Sequence, residues 1–143
     1  MAGPENINLA ILGAGRIGRV HARAISGNDR AVLAAVSDPI QAAADDVALH
    51  FGAAAWTVDD IIADPAIDAV VICTPTDLHA DQIEQCARAG KAIFCEKPID
   101  LDADRVRDCL KVVADCDASL MVGFNRRFDP HFMALKAAIL DGR

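Results

Sequence analysis

The stretch that most narrows the possible folds is Gly13-Ala14-Gly15-Arg16-Ile17-Gly18. It stands between a short apolar run at 7–12 and a segment, 16–25, in which Ile17, Val20, His21 and Ile25 recur at helical spacing. A G-x-G-x-x-G turn in that setting joins a strand to a helix and brings backbone, not side chains, to the surface of the turn. Gly13 permits the tight turn. Gly15 omits the β-carbon that would block a pyrophosphate, and Gly18 lets the helix pack closely on the strand. Ala14, Arg16 and Ile17 complete a helix start whose free N–H groups attract an anion.

Asp38 closes the next apolar run, 31–37, about 20 residues beyond the last glycine. A carboxylate there accepts hydrogen bonds from adenosine ribose hydroxyls and repels a 2'-phosphate, so the pattern favours NAD over NADP. Asp38 followed by Pro39 also suits the start of a helix, predicted over 39–51, and both readings stand.

The rest of the chain keeps the same alternation. A weak strand signal around Trp56 precedes a short helix at 58–63 that stops before Asp64-Pro65. The β-branched run 68–73 reads as a strand buried on both faces. Thr76 is expected to cap a helix reaching Arg88. Strands at 92–95 and 119–122 and helices at 102–114 and 130–140 complete the series. Strands alternating with helices predict an α/β domain with a doubly wound parallel sheet, the Rossmann arrangement, spanning 1–143 as one domain.

With 53% hydrophobic and 24% charged residues the chain has the balance of a packed domain. A formal charge of -7 with scattered Lys and Arg argues against nucleic-acid partners. No apolar stretch is long enough for a membrane span, and residues 1–8 have neither the basic start nor the apolar run of a leader, so a cytoplasmic protein is expected. Cys73, Cys86, Cys95, Cys109 and Cys116 form no metal-spaced cluster and read as buried free thiols. Trp56, His21, His50 and His131 have no partners in sequence that would build a site, and no metal site is expected. Arg126 and Asp129 read as exposed or paired charges.

In a parallel sheet the ligand lies across the carboxyl ends of the strands, so the loops there carry function. They read Thr74-Pro75-Thr76-Asp77-Leu78-His79, Glu96-Lys97-Pro98 and Gly123-Phe124-Asn125-Arg126-Arg127-Phe128. With the opening glycines, these segments resemble the glucose-fructose oxidoreductase and inositol dehydrogenase family, Gfo/Idh/MocA, in motif and order. The resemblance implies that Lys97 touches the reacting hydroxyl and the nicotinamide ribose and stabilises charge on the substrate oxygen. It further implies that Glu96 lies near the nicotinamide or orients the lysine, and that Lys97-Pro98 is cis. Thr74, Pro75 and Thr76 would line the cofactor path, and Asn125 and Arg127 would lie near the nicotinamide and substrate. His79 is either a further cofactor contact or a half-buried imidazole bonded to the neighbouring loop.

The family's second, α+β domain, which carries the substrate residues and an acid-base His with a nearby Asp, is absent here, so the chain reads as a fragment inactive by itself. The expected activity is transfer of a hydride from a secondary hydroxyl of a cyclic polyol or sugar, inositol first, to NAD. The full-length protein is expected to be a dimer or tetramer. The alternatives are an NAD-binding or sensing module without catalysis and a different dehydrogenase in which Glu96-Lys97-Pro98 is accidental.

Overall fold

Strands of Val, Ile, Leu and Ala form the middle of the molecule because both of their faces can be covered. The computed structural model describes residues 6–142; the leader reading of residues 1–5 and the chain end at Arg143 lie outside them. The strands are β1 (Ile7–Leu12), β2 (Ala31–Ser37), β3 (Ala54–Ala55), β4 (Ala69–Ile72), β5 (Ala92–Cys95) and β6 (Leu120–Val122). All pair in parallel, in the order β3-β2-β1-β4-β5-β6. The chain runs outward from β1 to β3, then restarts beside β1 with β4 and runs the other way. That reversal opens a crevice at the carboxyl ends of β1 and β4. The doubly wound α/β fold expected from the alternation is the one found.

The helices are α1 (Arg16–Ser26), α2 (Gln41–Phe51), α3 (Val58–Ala63), α4 (Thr76–Arg88), α5 (Ala103–Asp115) and α6 (Pro130–Leu140). Strand side chains alternate between two cores, as a period of two requires. Leu12, Val70, Ile72 and Cys95 join Ile61, Ile83, Cys86 and Cys109 on one face. Ile11, Val36 and Val71 join Ala22, Ile25 and Val47 on the other.

Three local expectations are corrected. The third strand is Ala54–Ala55, and Trp56 follows it with its N–H donating to the Val36 carbonyl. Helix α2 begins at Gln41 with Ile40 as its cap residue; the Asp38 carboxylate accepts from the Ile40 N–H at 2.8 Å, ahead of the helix, while its other oxygen reaches back to the Ala14 N–H. Thr76 is the first residue of α4, not its cap; Pro75 holds that position and no side chain caps the helix. The Thr76 hydroxyl is therefore not committed to the helix end.

The cysteines are all free, with Cys86, Cys95 and Cys109 buried. Burial pushes the Cys86 and Cys95 thiols up to about 12. Cys73 is also raised to about 12, by burial first and then by the nearby Glu96 and Cys95. Lys91, only 6% exposed, sends its ammonium to the carbonyls of Asp64 and Ile67 and so ties the end of α3 to the start of β5. Helix α6 differs from the others: Phe132, Met133, Leu135, Ile139 and Leu140 are all exposed.

The seam between α4 and α5 is ionic on its outer side. Arg105 donates to Asp81 and Glu84, and Arg88 also donates to Glu84. Desolvation raises the Glu84 carboxyl, but the hydrogen bonds and charges of the two guanidiniums outweigh it and leave it below its ordinary value. A depressed carboxylate stabilises the fold above its unfolded titration range and ceases to as pH falls through the lower folded value. Glu84→Gln should therefore flatten the fall in thermal midpoint on acidification below about pH 4, which melting curves across pH 2–7 would check. A second expectation concerns Gly18, where a β-carbon would lie 1.9 Å from the Gly13 carbonyl oxygen. Gly18→Ala should cost about 3 kcal/mol or more in denaturant unfolding, since backbone and not a flexible side chain must yield.

Candidate functional site

Parallel pairing brings the segments that follow β1, β2, β4, β5 and β6 to one edge of the sheet, where backbone bonds carry the ladder one step past the strands. Gly13 N–H donates to Ser37, Cys73 N–H to Leu12, Glu96 N–H to Ile72 and Gly123 N–H to Cys95, at 2.7, 2.7, 3.0 and 2.8 Å. The loops leave the sheet from fixed points.

At the first of them, Gly13 has φ +101°, and a β-carbon there would meet the Cys73 carbonyl oxygen at 2.7 Å. Gly18 is excluded from carrying a side chain by Gly13 itself. Gly15 is different, because a β-carbon at that position would have nothing within 4 Å. No packing inside the chain requires a glycine at 15, and the space beside it, ahead of the helix, is open. Gly15 is the cap residue of α1, and no side chain caps that helix. Its first-turn N–H groups, at Arg16, Ile17 and Gly18, carry the positive end of the helix dipole toward the same space. Arg16 is exposed, Ile17 half-buried and Ala14 buried.

Asp38 faces this turn. Its Oδ2 accepts from the Ala14 N–H and its Oδ1 from the Ile40 N–H, both at 2.8 Å. Each carboxylate oxygen keeps a second lone pair for a hydroxyl. The two backbone bonds fix the group in place, so its negative charge cannot turn aside for a phosphate. An uncapped helix start, an open glycine position and a clamped carboxylate between them fit the pyrophosphate and adenosine ribose of a dinucleotide.

The loop after β4 is held from within α4. The Thr74 hydroxyl donates to Gln82 Oε1 at 2.6 Å. The His79 ring is 2% exposed, with Nε2 2.7 Å from the Thr74 carbonyl oxygen and Nδ1 2.7 Å from that of Pro98. Of the two readings open for His79, this geometry is that of a bridge between loops, and the ring is fully buried where half-burial was expected. Pro75 is exposed and Thr76 partly so.

Lys97 stands between two anchored neighbours. Pro98 is tied by His79, and the Lys97-Pro98 peptide is cis, as the resemblance implied. The Glu96 carboxylate accepts from His21 Nε2 at 2.7 Å. Lys97 itself is exposed, with no hydrogen-bond or ionic partner among the described residues. His21, read from the sequence as packing or surface, is thus part of the site's framework. The sequence carried one signal for it, a helical position one turn after Gly18 on the face that meets the sheet.

The last loop is a 3-10 turn, Asn125–Phe128, and Asn125 and Arg127 are exposed on it, apart from the hydrogen-bonded cluster. Arg126 lies over the Phe132 ring at 5.0 Å and 3.8 Å from Asp129, which caps α6. Among the described residues no group of three His, Cys, Asp or Glu is placed to hold a metal ion, and no helix is long and apolar enough to cross a membrane.

Comparison with known proteins agrees with this geometry. Residues 7–124 match the model of the oxidoreductase family with an NAD-binding Rossmann fold. The chain is 66% identical over 137 residues to inositol 2-dehydrogenase of Rhizobium meliloti, covering 96% of this chain and 42% of that protein. It is 38% identical to scyllo-inositol 2-dehydrogenase (NAD(+)) of Bacillus subtilis, covering 94% and 40%. The structure of scyllo-inositol dehydrogenase from Lactobacillus casei with bound NAD(H) and scyllo-inositol superposes with TM-score 0.90 at 33% identity, over 96% of this chain and 42% of that one. The chain therefore spans about two-fifths of the length of these relatives. The match to the family model across most of the sequence shows that the chain belongs to the Gfo/Idh/MocA oxidoreductases with an NAD-binding Rossmann fold.

Proposed function

We propose that the chain is the dinucleotide-binding part of an NAD-dependent dehydrogenase acting on a secondary hydroxyl of a cyclic polyol, an inositol before other sugars. The observation that carries this reading is the open position at Gly15 before an uncapped helix, facing a carboxylate clamped by two backbone N–H groups, on the same sheet edge as Lys97. In this reading Gly13–Gly18 hold the pyrophosphate and Asp38 the adenosine ribose. Thr74, Pro75 and Thr76 line the path toward Lys97, with Asn125 and Arg127 at its far side. Bound NAD supplies the acceptor for the hydride that leaves the carbinol carbon.

The role of the chain's own residues follows from charge. The Lys97 ammonium donates a hydrogen bond to the substrate oxygen and stabilises the negative charge that develops there as the hydroxyl gives up its proton, charge that is spent when hydride leaves the carbon. Glu96 keeps the strand end in place beside it. The substrate domain, with the acid-base His and Asp that take the hydroxyl proton, belongs to the remainder of a polypeptide of the relatives' length. The apolar residues of α6 suit a surface that such a domain covers. We place the protein in the cytoplasm as a homo-oligomer assembled through that remainder.

Calorimetric titration of the chain should show saturable NADH binding at least tenfold, or about 1.4 kcal/mol, tighter than NADPH. Gly15→Val should abolish binding with the fold intact, because the added methyl groups meet only the ligand's space. Asp38→Ala should erase the preference and weaken both nucleotides, since the Ala14 N–H also loses its acceptor. A folded chain that binds neither nucleotide would overturn the cofactor reading. In the full-length protein, Lys97→Met should lower kcat on scyllo- or myo-inositol by about 100- to 1000-fold, with a far smaller loss of NADH affinity from its missing contact to the nicotinamide ribose. NADH binding with no polyol oxidised by the wild-type protein would instead favour a non-catalytic NAD module.

A further inference from the structure

The His21 side chain is placed in a way that the dinucleotide reading does not use. It projects from α1, one turn after Gly18, and its Nε2 stands 2.7 Å from Glu96 Oε1, across 75 positions of sequence. Its ring packs on Phe94 of β5 with centroids 5.0 Å apart and planes at 60°. Both partners are largely covered, with side-chain exposures of 24% for His21 and 27% for Glu96. On its other side the Glu96 carboxylate lies close to the backbone just after β6, where a β-carbon at Gly123 would be 3.3 Å from Oε2 and 3.1 Å from the Phe94 ring.

The carboxylate is therefore boxed by α1, by the Phe94 ring and by the backbone that follows β6, and its peptide N–H is fixed to Ile72. With Pro98 tied to His79, the flexible lysine grows from a backbone held on both sides. A partly buried hydrogen bond to a carboxylate is among the stronger links available to join two elements, and here it joins the helix of the glycine turn to the residue before the lysine.

We infer that His21 is a positioning residue for Lys97. It acts through Glu96, couples the helix that starts the dinucleotide site to the reacting lysine, and keeps the carboxylate from folding over onto the ammonium. The inference rests on the assignment of Lys97 to the reacting centre only for its functional meaning; the coupling itself is a property of this chain.

The test uses the chain with its lysines reductively methylated with 13C, the Lys97 resonance being identified by its loss in Lys97→Arg. Gln can offer an amide N–H near the place of Nε2, and Leu cannot. The expected result is that His21→Leu moves the Lys97 resonance in the free protein, that His21→Gln returns it to within a third of the wild-type position, and that the NADH dissociation constant changes less than threefold in both. A folded His21→Leu chain whose Lys97 resonance coincides with wild type would overturn the inference. If His21→Leu does not fold, Glu96→Ala, which leaves α1 unchanged, carries the same comparison: a displaced Lys97 resonance supports the coupling and an unmoved one overturns it. Adding NADH to wild type tests the other claim separately. A Lys97 resonance that NADH leaves in place counts against Lys97 at the nicotinamide, whatever His21 does in the free chain.

Discussion

The carbonyl oxygen of Gly13 occupies the place where residue 18 would carry its β-carbon, and the organisation of the site depends on that contact. It sets how closely α1 approaches β1, and so where the first turn of α1 emerges over the sheet edge. Gly13 in turn is pressed against the Cys73 carbonyl, which brings the turn after β1 against the turn after β4. Two backbones approach more closely than any side chain would allow. At the reversal of strand order the turn after β1 can lie against the turn after β4 because the residue on the β1 side of that contact is a glycine.

Around that contact the loops are fastened by side chains reaching across from other segments, three of them from helices. Asp38 holds Ala14, Gln82 holds the Thr74 hydroxyl, His79 holds the carbonyls of Thr74 and Pro98, and His21 holds Glu96. Each link crosses from one element to another. The groups left free are those on the outer surface of the edge: the first-turn N–H groups of α1, the Thr76 hydroxyl and the Lys97 ammonium. Rigid support with a few uncommitted polar groups is what a preorganised binding edge requires.

Much of this was legible in the sequence because its signals are local. The glycine turn, the acid at the end of the second apolar run and the strand at 68–73 each announce themselves within a few residues, and the sheet order follows from handed crossovers. The misread features were competitions that local sequence cannot decide. Asp38 could cap a helix or reach back to the glycine turn, and its two oxygens are divided between the Ile40 N–H just ahead of α2 and the distant Ala14 N–H. Thr76 has the composition of a cap, but Pro75, already fixed in φ, took the position. His21 and His79 find their partners 75 and 19 residues away, and no periodicity encodes such meetings. The short pair Ala54–Ala55 became a strand because β2 offers it a ladder, not because alanine favours extended backbone.

The thiols buried in the core under α4 and α5 have a consequence for how the molecule ages. With Cys86 and Cys95 pushed up to about 12, about one thiol in 10^5 is ionised at neutral pH, and the thiolate is the form that oxidants and alkylating agents attack. Damage must wait for β5 or α4 to open and let water in. The rate at which these cysteines are lost therefore follows the breathing of the central sheet, and a loosened fold would be recorded in its sulfur chemistry before it was visible in its average shape.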